Sequence, residues 1–469
     1  MKKVILILVF IFLYGISSAQ VIQPRVDERT ELLSIVFRLA GAQEYVANNI
    51  PKYTNEIDNH FAYYDDHEII SFVKALRQSY GVGYDAVMSM AIYIDISNGN
   101  IKFKENINLA NIDSRWNKST IEQFIPLLND FYTETEFHQF YESQKEIIAI
   151  AEKNATELVS YINFKWFEDF YGEKDRGNFN LIISLSNGPN NYGGSFRYKD
   201  GSEEIFAIIG SWEADSLGNP IYSLRNIETV VHEFNHSYCN QLIDEFYKKL
   251  APKGDKFYNL VAQKLARMAY GSSKTMLCEI LVRACAIKYM QENSATPFDV
   301  NRALLREENM GFLWINELFE SLTIYESKRE KYPTLRSYMP QIVKMLNKLD
   351  PQKIYDKQEK NKPTILGTNI VNGDQNVDPS ISMITVRFDK PMFTGNNGTS
   401  YGKKGKDYFP TFDENKKAFW NEETKKEWSF FLKLEPNTEY SICFPAQFFL
   451  SEDFSYPKET YFLDFKTGE

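Results

Sequence analysis

The segment VVHEFNHSYCN, residues 230–240, holds two of the five histidines in a chain of 469 residues, four positions apart, with a glutamate directly after the first. With His232 set at zero on a helical wheel of about 100° per residue, His236 falls near 40° and Glu233 near 100°. Ile227, Val230, Val231, Phe234 and Tyr238 fall together between about 160° and 260°. The spacing therefore predicts an amphipathic helix whose two imidazoles project away from its apolar stripe. Two neutral imidazoles at i and i+4 can hold one zinc ion, with Glu233 beside the position of a zinc-bound water. Zinc lowers the pKa of such a water, and a glutamate in that place takes its proton and passes it to a leaving amine. The plain alternative is a pair of structural histidines with no metal.

A catalytic zinc site takes a third protein ligand. No histidine follows His236, so that ligand is expected to be a carboxylate, with Asp244, Glu245, Asp255 and Glu279 as candidates. Asp244 and Glu245 lie two turns or more along the same helix, too far to reach back. Asp255 sits in APKGDKFY, which reads as a turn. Glu279 interrupts TMLCEILVRACAIKYM, a helix apolar nearly all round, where a carboxylate is costly unless a cation compensates it. Arg283, one turn on, offers an internal ion pair, or an orienting partner that leaves the other carboxylate oxygen to the metal. Cys239 and Cys278 are alternative thiolate ligands or a nearby bridge, though small buried hydrophobes are the preferred reading. His60, His67 and His138 belong to the N-terminal helical region and are read as structural or surface residues.

These residues need elements to hold them. From Asp27 to about Ala91, and again from IEQFIPLLNDFY to KWFEDFYG, apolar residues recur at helical spacing. NFNLIISLS, and two strand-like runs around an Asp-Gly-Ser turn, predict a small antiparallel sheet ahead of the HEFNH helix. NNYGGSFRYKDG is read either as an edge strand receiving an extended peptide, with Tyr192, Gly193 and Gly194 at that edge, or as a plain hairpin connection. More helices follow to Leu349. Residues 350–364 are charged and bracketed by prolines, as in a linker, and residues 365–469 alternate short strands with turns, as in a β-sandwich. The expected fold class is α+β.

MKKVILILVFIFLYGISSAQ has the basic start, apolar run and small-residue end of a secretory signal peptide, residues 1–19. The product is expected to be periplasmic or secreted, with no later transmembrane segment. A net charge of −10 argues against nucleic acid as a partner. Four cysteines without a CxxC pair do not make a disulfide scaffold.

HExxH followed by a glutamate on a later helix, here His232, Glu233, His236 and Glu279 in CEILVRA, resembles the gluzincin class of zinc metallopeptidases. VDERTELLSIVFRLAG, NYGGS and HEFNHSY together look like a family of secreted bacterial proteins of unknown function, over roughly residues 26–345. The resemblance implies a zincin-like domain over residues 20–349, one catalytic zinc ion held by His232, His236 and Glu279, Glu233 as general base, and a peptide or protein substrate. ITVRFDKPM, LEPNTEY and FLDFKTG are similar to bacterial immunoglobulin-like modules. A zincin-shaped binding or adhesion protein, and a zinc hydrolase of a non-peptide amide, are the competing expectations.

Overall fold

The computed structural model describes residues 22–109, 112–174 and 176–469; the expected export signal, residues 1–19, lies outside the described residues. The chain divides between Ser237 and Tyr238 into two compact units.

In the first unit, helices Glu28–Leu39, Pro51–His60, Glu68–Tyr80 and Asp85–Tyr93 are followed by Lys118–Glu134, Phe137–Ser143, Lys145–Ser160 and Lys165–Tyr171. Local chemistry sets their ends. The Asp27 side chain accepts from Arg29 N–H at the first N-terminus, and Asn117 and Thr120 form a reciprocal capping box. Gly172 ends Lys165–Tyr171 in the left-handed conformation at φ 70°.

The sheet of this unit runs Arg25–Val26, Asn178–Ile183, Glu203–Ile209, Tyr192–Arg197 in spatial order. The first three strands are mutually parallel, and only Tyr192–Arg197 pairs antiparallel, through the turn at Asp200 and Gly201. The expectation of an antiparallel sheet is thus corrected to a mixed one. Burial explains why. Leu181, Ile182, Ile183, Ala207, Ile208 and Ile209 are all buried, consecutively along their strands, as in strands covered on both faces, which are typically parallel.

Helix Ile227–Ala266 carries HEFNH and is 40 residues long in all. Asp255, expected in a turn, is inside it despite Pro252 and Gly254. Packing overrides local propensity here: a Cβ on Gly254 would lie 2.8 Å from Leu277 Cδ1, so the glycine admits the neighbouring helix Ser273–Asn293. Helices Pro297–Met310, Ile315–Glu326 and Leu335–Lys348 complete the helical part of the second unit. The expected linker is itself largely helical, Pro351–Asn361, with no buried residue.

The last hundred residues are strand-rich. Met383–Phe388 and Glu427–Lys433 form the centre of one antiparallel sheet, and Glu439–Phe444 pairs with Tyr461–Lys466 in another. Ile384, Val386, Phe430 and Leu432 of the first share a core with Ile442, Phe444, Leu463 and Phe465 of the second. The chain is therefore mixed α and β, mostly helical before this region. No helix among the described residues is long and apolar enough to cross a membrane.

Candidate metal centre

Val230, Val231 and Phe234 are fully buried and Tyr238 nearly so, while His232 and His236 are only half-buried. Four of the five residues of the expected apolar stripe are thus buried, while Ile227, at the start of the helix, is as half-buried as the histidines. Phe234 anchors the helix by packing edge-on against Phe164, Phe167 and Phe179, and Asn235 Oδ1 accepts from the Tyr171 hydroxyl at 2.7 Å. With that face fixed, the imidazoles are turned towards each other.

Their Nε2 atoms lie 3.2 Å apart. Two nitrogens bound to one tetrahedral zinc at about 2.05 Å are separated by about 3.3 Å, so the pair already has the spacing of a chelate. Glu233 is buried, with a carboxylate oxygen 3.9 Å from His236 Nε2. Glu279, the third expected ligand, belongs to the second unit. Two imidazoles and a carboxylate are a donor set that suits zinc.

Glu279 is buried on helix Ser273–Asn293 and lies 3.1 Å from Arg283. Arg283 in turn reaches Glu307 at 2.7 Å and the Tyr270 hydroxyl at 2.8 Å, and its guanidinium sits 4.5 Å over the Phe312 ring. Burial alone works against the charge on Arg283, but the pull of Glu279 and Glu307 raises it above the ordinary arginine range, so the cation is secure. Glu307 and Tyr270 were missed in the sequence, where nothing marks a glutamate 24 residues beyond Arg283 as its partner.

The other carboxylates considered are engaged elsewhere. Asp244 pairs with Lys274 at 2.7 Å, Glu245 with Arg336, and Asp255 with the Ser273 hydroxyl. Cys278 is a thiol pushed up to about 12 by burial, far from a ready thiolate. Cys239 lies beside Cys285. Of the remaining histidines, His60 contacts the Thr135 carbonyl, His67 caps Glu68–Tyr80, and His138 meets Glu28.

Tyr192–Arg197 forms one edge of the sheet. A Cβ on Gly193 would come 2.0 Å from the Glu233 carbonyl oxygen and 2.8 Å from His236 Cβ, so only glycine lets the strand lie directly on the HEFNH turn. The Ser237 hydroxyl donates to the Gly194 carbonyl at 2.9 Å, a second tie between the two. Arg197 uses its carbonyl on the outer side, accepting from Asn108 N–H. Strand alternation turns the main-chain groups of Ser195 and Gly193 the same way. Tyr192, by contrast, buries its side chain beside Tyr45 and serves the core.

A family model described as "Domain of unknown function (DUF4932)" matches residues 20–345. The chain belongs to this family. The DUF4932 region thus contains the HEFNH helix, the edge strand and Glu279, and stops ahead of the strand-rich end. No curated protein matches the chain. Among solved structures, CopC from Methylosinus trichosporium OB3b is 15% identical over 23% of this chain and 93% of its own, with a TM-score of 0.18. The N-terminal part of the bacterial S-layer protein SbsC is 14% identical over 52% of this chain and 58% of its own, with a TM-score of 0.17. At such scores neither likeness bears on fold or function.

Proposed function

We propose that the DUF4932 region is a zinc-dependent peptidase of gluzincin type, exported from the cell, with the strand-rich end as an immunoglobulin-like sandwich. The observation that carries the reading is the 3.2 Å separation of the two Nε2 atoms, with a buried glutamate between them in sequence. His232, His236 and Glu279 would hold the ion. When bound, zinc supplies the acidity that makes water a nucleophile near neutral pH.

The chain's own residues do the rest. The Glu233 carboxylate accepts a proton and delivers it to the leaving amine nitrogen. Arg283 holds Glu279 in one orientation while Glu307 and Tyr270 hold Arg283. The outward main-chain groups of Gly193 and Ser195 offer an extended peptide strand-like hydrogen bonds close to the HEFNH turn.

The test pairs metal content with turnover. Purified protein is expected to hold one zinc per chain and to cleave members of a peptide library. Glu233→Gln should keep the zinc and lose roughly 100- to 10,000-fold in kcat. Zinc bound with no cleavage of any peptide would move the reading to a binding or adhesion protein, and cleavage confined to small amides to a non-peptide hydrolase. Absence of stoichiometric zinc in both proteins would remove the metal altogether and leave two hydrogen-bonded histidines.

A further inference from the structure

We propose that Cys239 and Cys285 are a redox modification site, at which a disulfide joins the HEFNH helix to the helix that carries Glu279. The structure holds both as thiols, with Sγ atoms 3.9 Å apart across 46 residues of sequence. Closing to a bond of about 2.05 Å is a movement of under about 2 Å. Both side chains are fully buried. Gly254 admits Leu277 between the same two helices, so their close approach does not depend on the sulfurs.

Position gives the pair its consequence. Cys239 is one turn beyond His236, and Cys285 is less than two turns beyond Glu279, each on the same helix as the ligand it follows. A bond there would pin the two ligand-bearing helices close to the metal centre. The pairing itself stands on the sulfur geometry alone, whether or not the peptidase reading holds.

The oxidant is a disulfide, either a small molecule such as oxidised glutathione or an exported dithiol oxidase. One cysteine thiolate attacks a sulfur of the oxidant, forming a mixed disulfide and releasing one thiolate. The second cysteine thiolate attacks the protein sulfur of that mixed disulfide, forming the Cys239–Cys285 bond and releasing the other. Two protein thiols are oxidised by two electrons, the oxidant is reduced to two thiols, and the two protein protons pass to the departing thiolates. Because both sulfurs are buried, exchange takes place before the helices close, and the finished bond is shielded from later reduction.

The test begins with unaltered chain, refolded from the reduced state in a mixture of oxidised and reduced glutathione. Remaining thiols are alkylated under denaturing conditions, and the protein is digested without reduction for mass spectrometry. The expected product is about 2 Da lighter before alkylation, links the peptides holding Cys239 and Cys285, and carries alkyl groups on Cys278 and Cys443. Its thermal midpoint is expected to exceed that of the fully reduced chain, and of Cys285→Ser, by roughly 5–15 °C. Alkylation of both Cys239 and Cys285, or linkage of either to Cys278 or Cys443, would overturn the proposal. A linked chain no more stable than the reduced one would overturn its role as a staple.

Discussion

The family-matched region and the strand-rich end differ most in what they bury. Among the described residues, every buried charged side chain precedes residue 345, from Asp27 and Glu31 through Glu203 and Glu233 to Glu279, Lys288 and Glu307. Residues 365–469 bury Thr368, Ser429, Ser441, Ser451 and Thr467 but no charge. Burying an ion costs several kcal/mol unless a partner compensates it. Partners are indeed built: Glu203 meets Arg176 and Arg197 at 3.1 Å each, Lys288 meets Glu326 at 2.6 Å, and Glu31 takes two serine hydroxyls and the Leu185 N–H. The difference teaches that the strand-rich end is held by ordinary apolar packing, whereas the DUF4932 region spends stability to fix charged groups in place.

The contrast can be broken by substitution. Trp428→Ala, which removes a ring stacked on Phe430 at 5.0 Å and edge-on to Phe449 at 5.6 Å, is expected to cost about 3–5 kcal/mol in denaturant unfolding. Zinc stoichiometry should not change; loss of metal in that variant would show that the two regions are not separate in function. Arg283→Met is expected to weaken zinc 10- to 100-fold in competition with a chelator, and Arg283→Lys to recover part of that loss. Equal affinities in all three would reduce the Glu279–Arg283–Glu307 chain to a structural ion cluster.

Smaller effects sharpen the comparison. Gly193→Ala forces a methyl onto the Glu233 carbonyl and is expected to destabilise by about 1–3 kcal/mol, read as a lower urea midpoint with an unchanged slope. The smallest concerns Asp27, whose carboxyl is buried, which works against ionisation, but is held below its unperturbed value of 3.8 by Arg29 at 2.5 Å. A depressed folded-state pKa gives stability that is present above 3.8 and lost as pH falls through the folded value. Asp27→Asn is therefore expected to cost about 1 kcal/mol near neutrality and to flatten the acid limb of the stability curve. An unchanged acid limb would show that the Arg29 pair contributes nothing.

What could be seen in the sequence was what repeats at a helical or strand period. The HEFNH faces were legible because five apolar residues fix the wheel, and Glu279 because it interrupts an otherwise apolar helix that turned out buried over most of its length. The parallel pairing of Asn178–Ile183 with Glu203–Ile209 was not, since the hairpin turn reports only the pairing of adjacent strands. Asp255 was misplaced because Pro252 and Gly254 are helix breakers in isolation, while the reason for the glycine, Leu277, lies on another helix. Gly193 carries the same lesson: what it makes room for is a backbone oxygen 40 residues later.

The strand Tyr192–Arg197 has one further consequence, for solubility. An open sheet edge that can accept a peptide can equally accept the same strand from another copy, and unpaired edges are common starting points for aggregation. This one is six residues long, is closed at its far end by the Ile107–Tyr198 bridge, and places two glycines where a sticky β-branched run would otherwise stand. Such an edge is short and plain, which limits how firmly a neighbour's strand can pair with it.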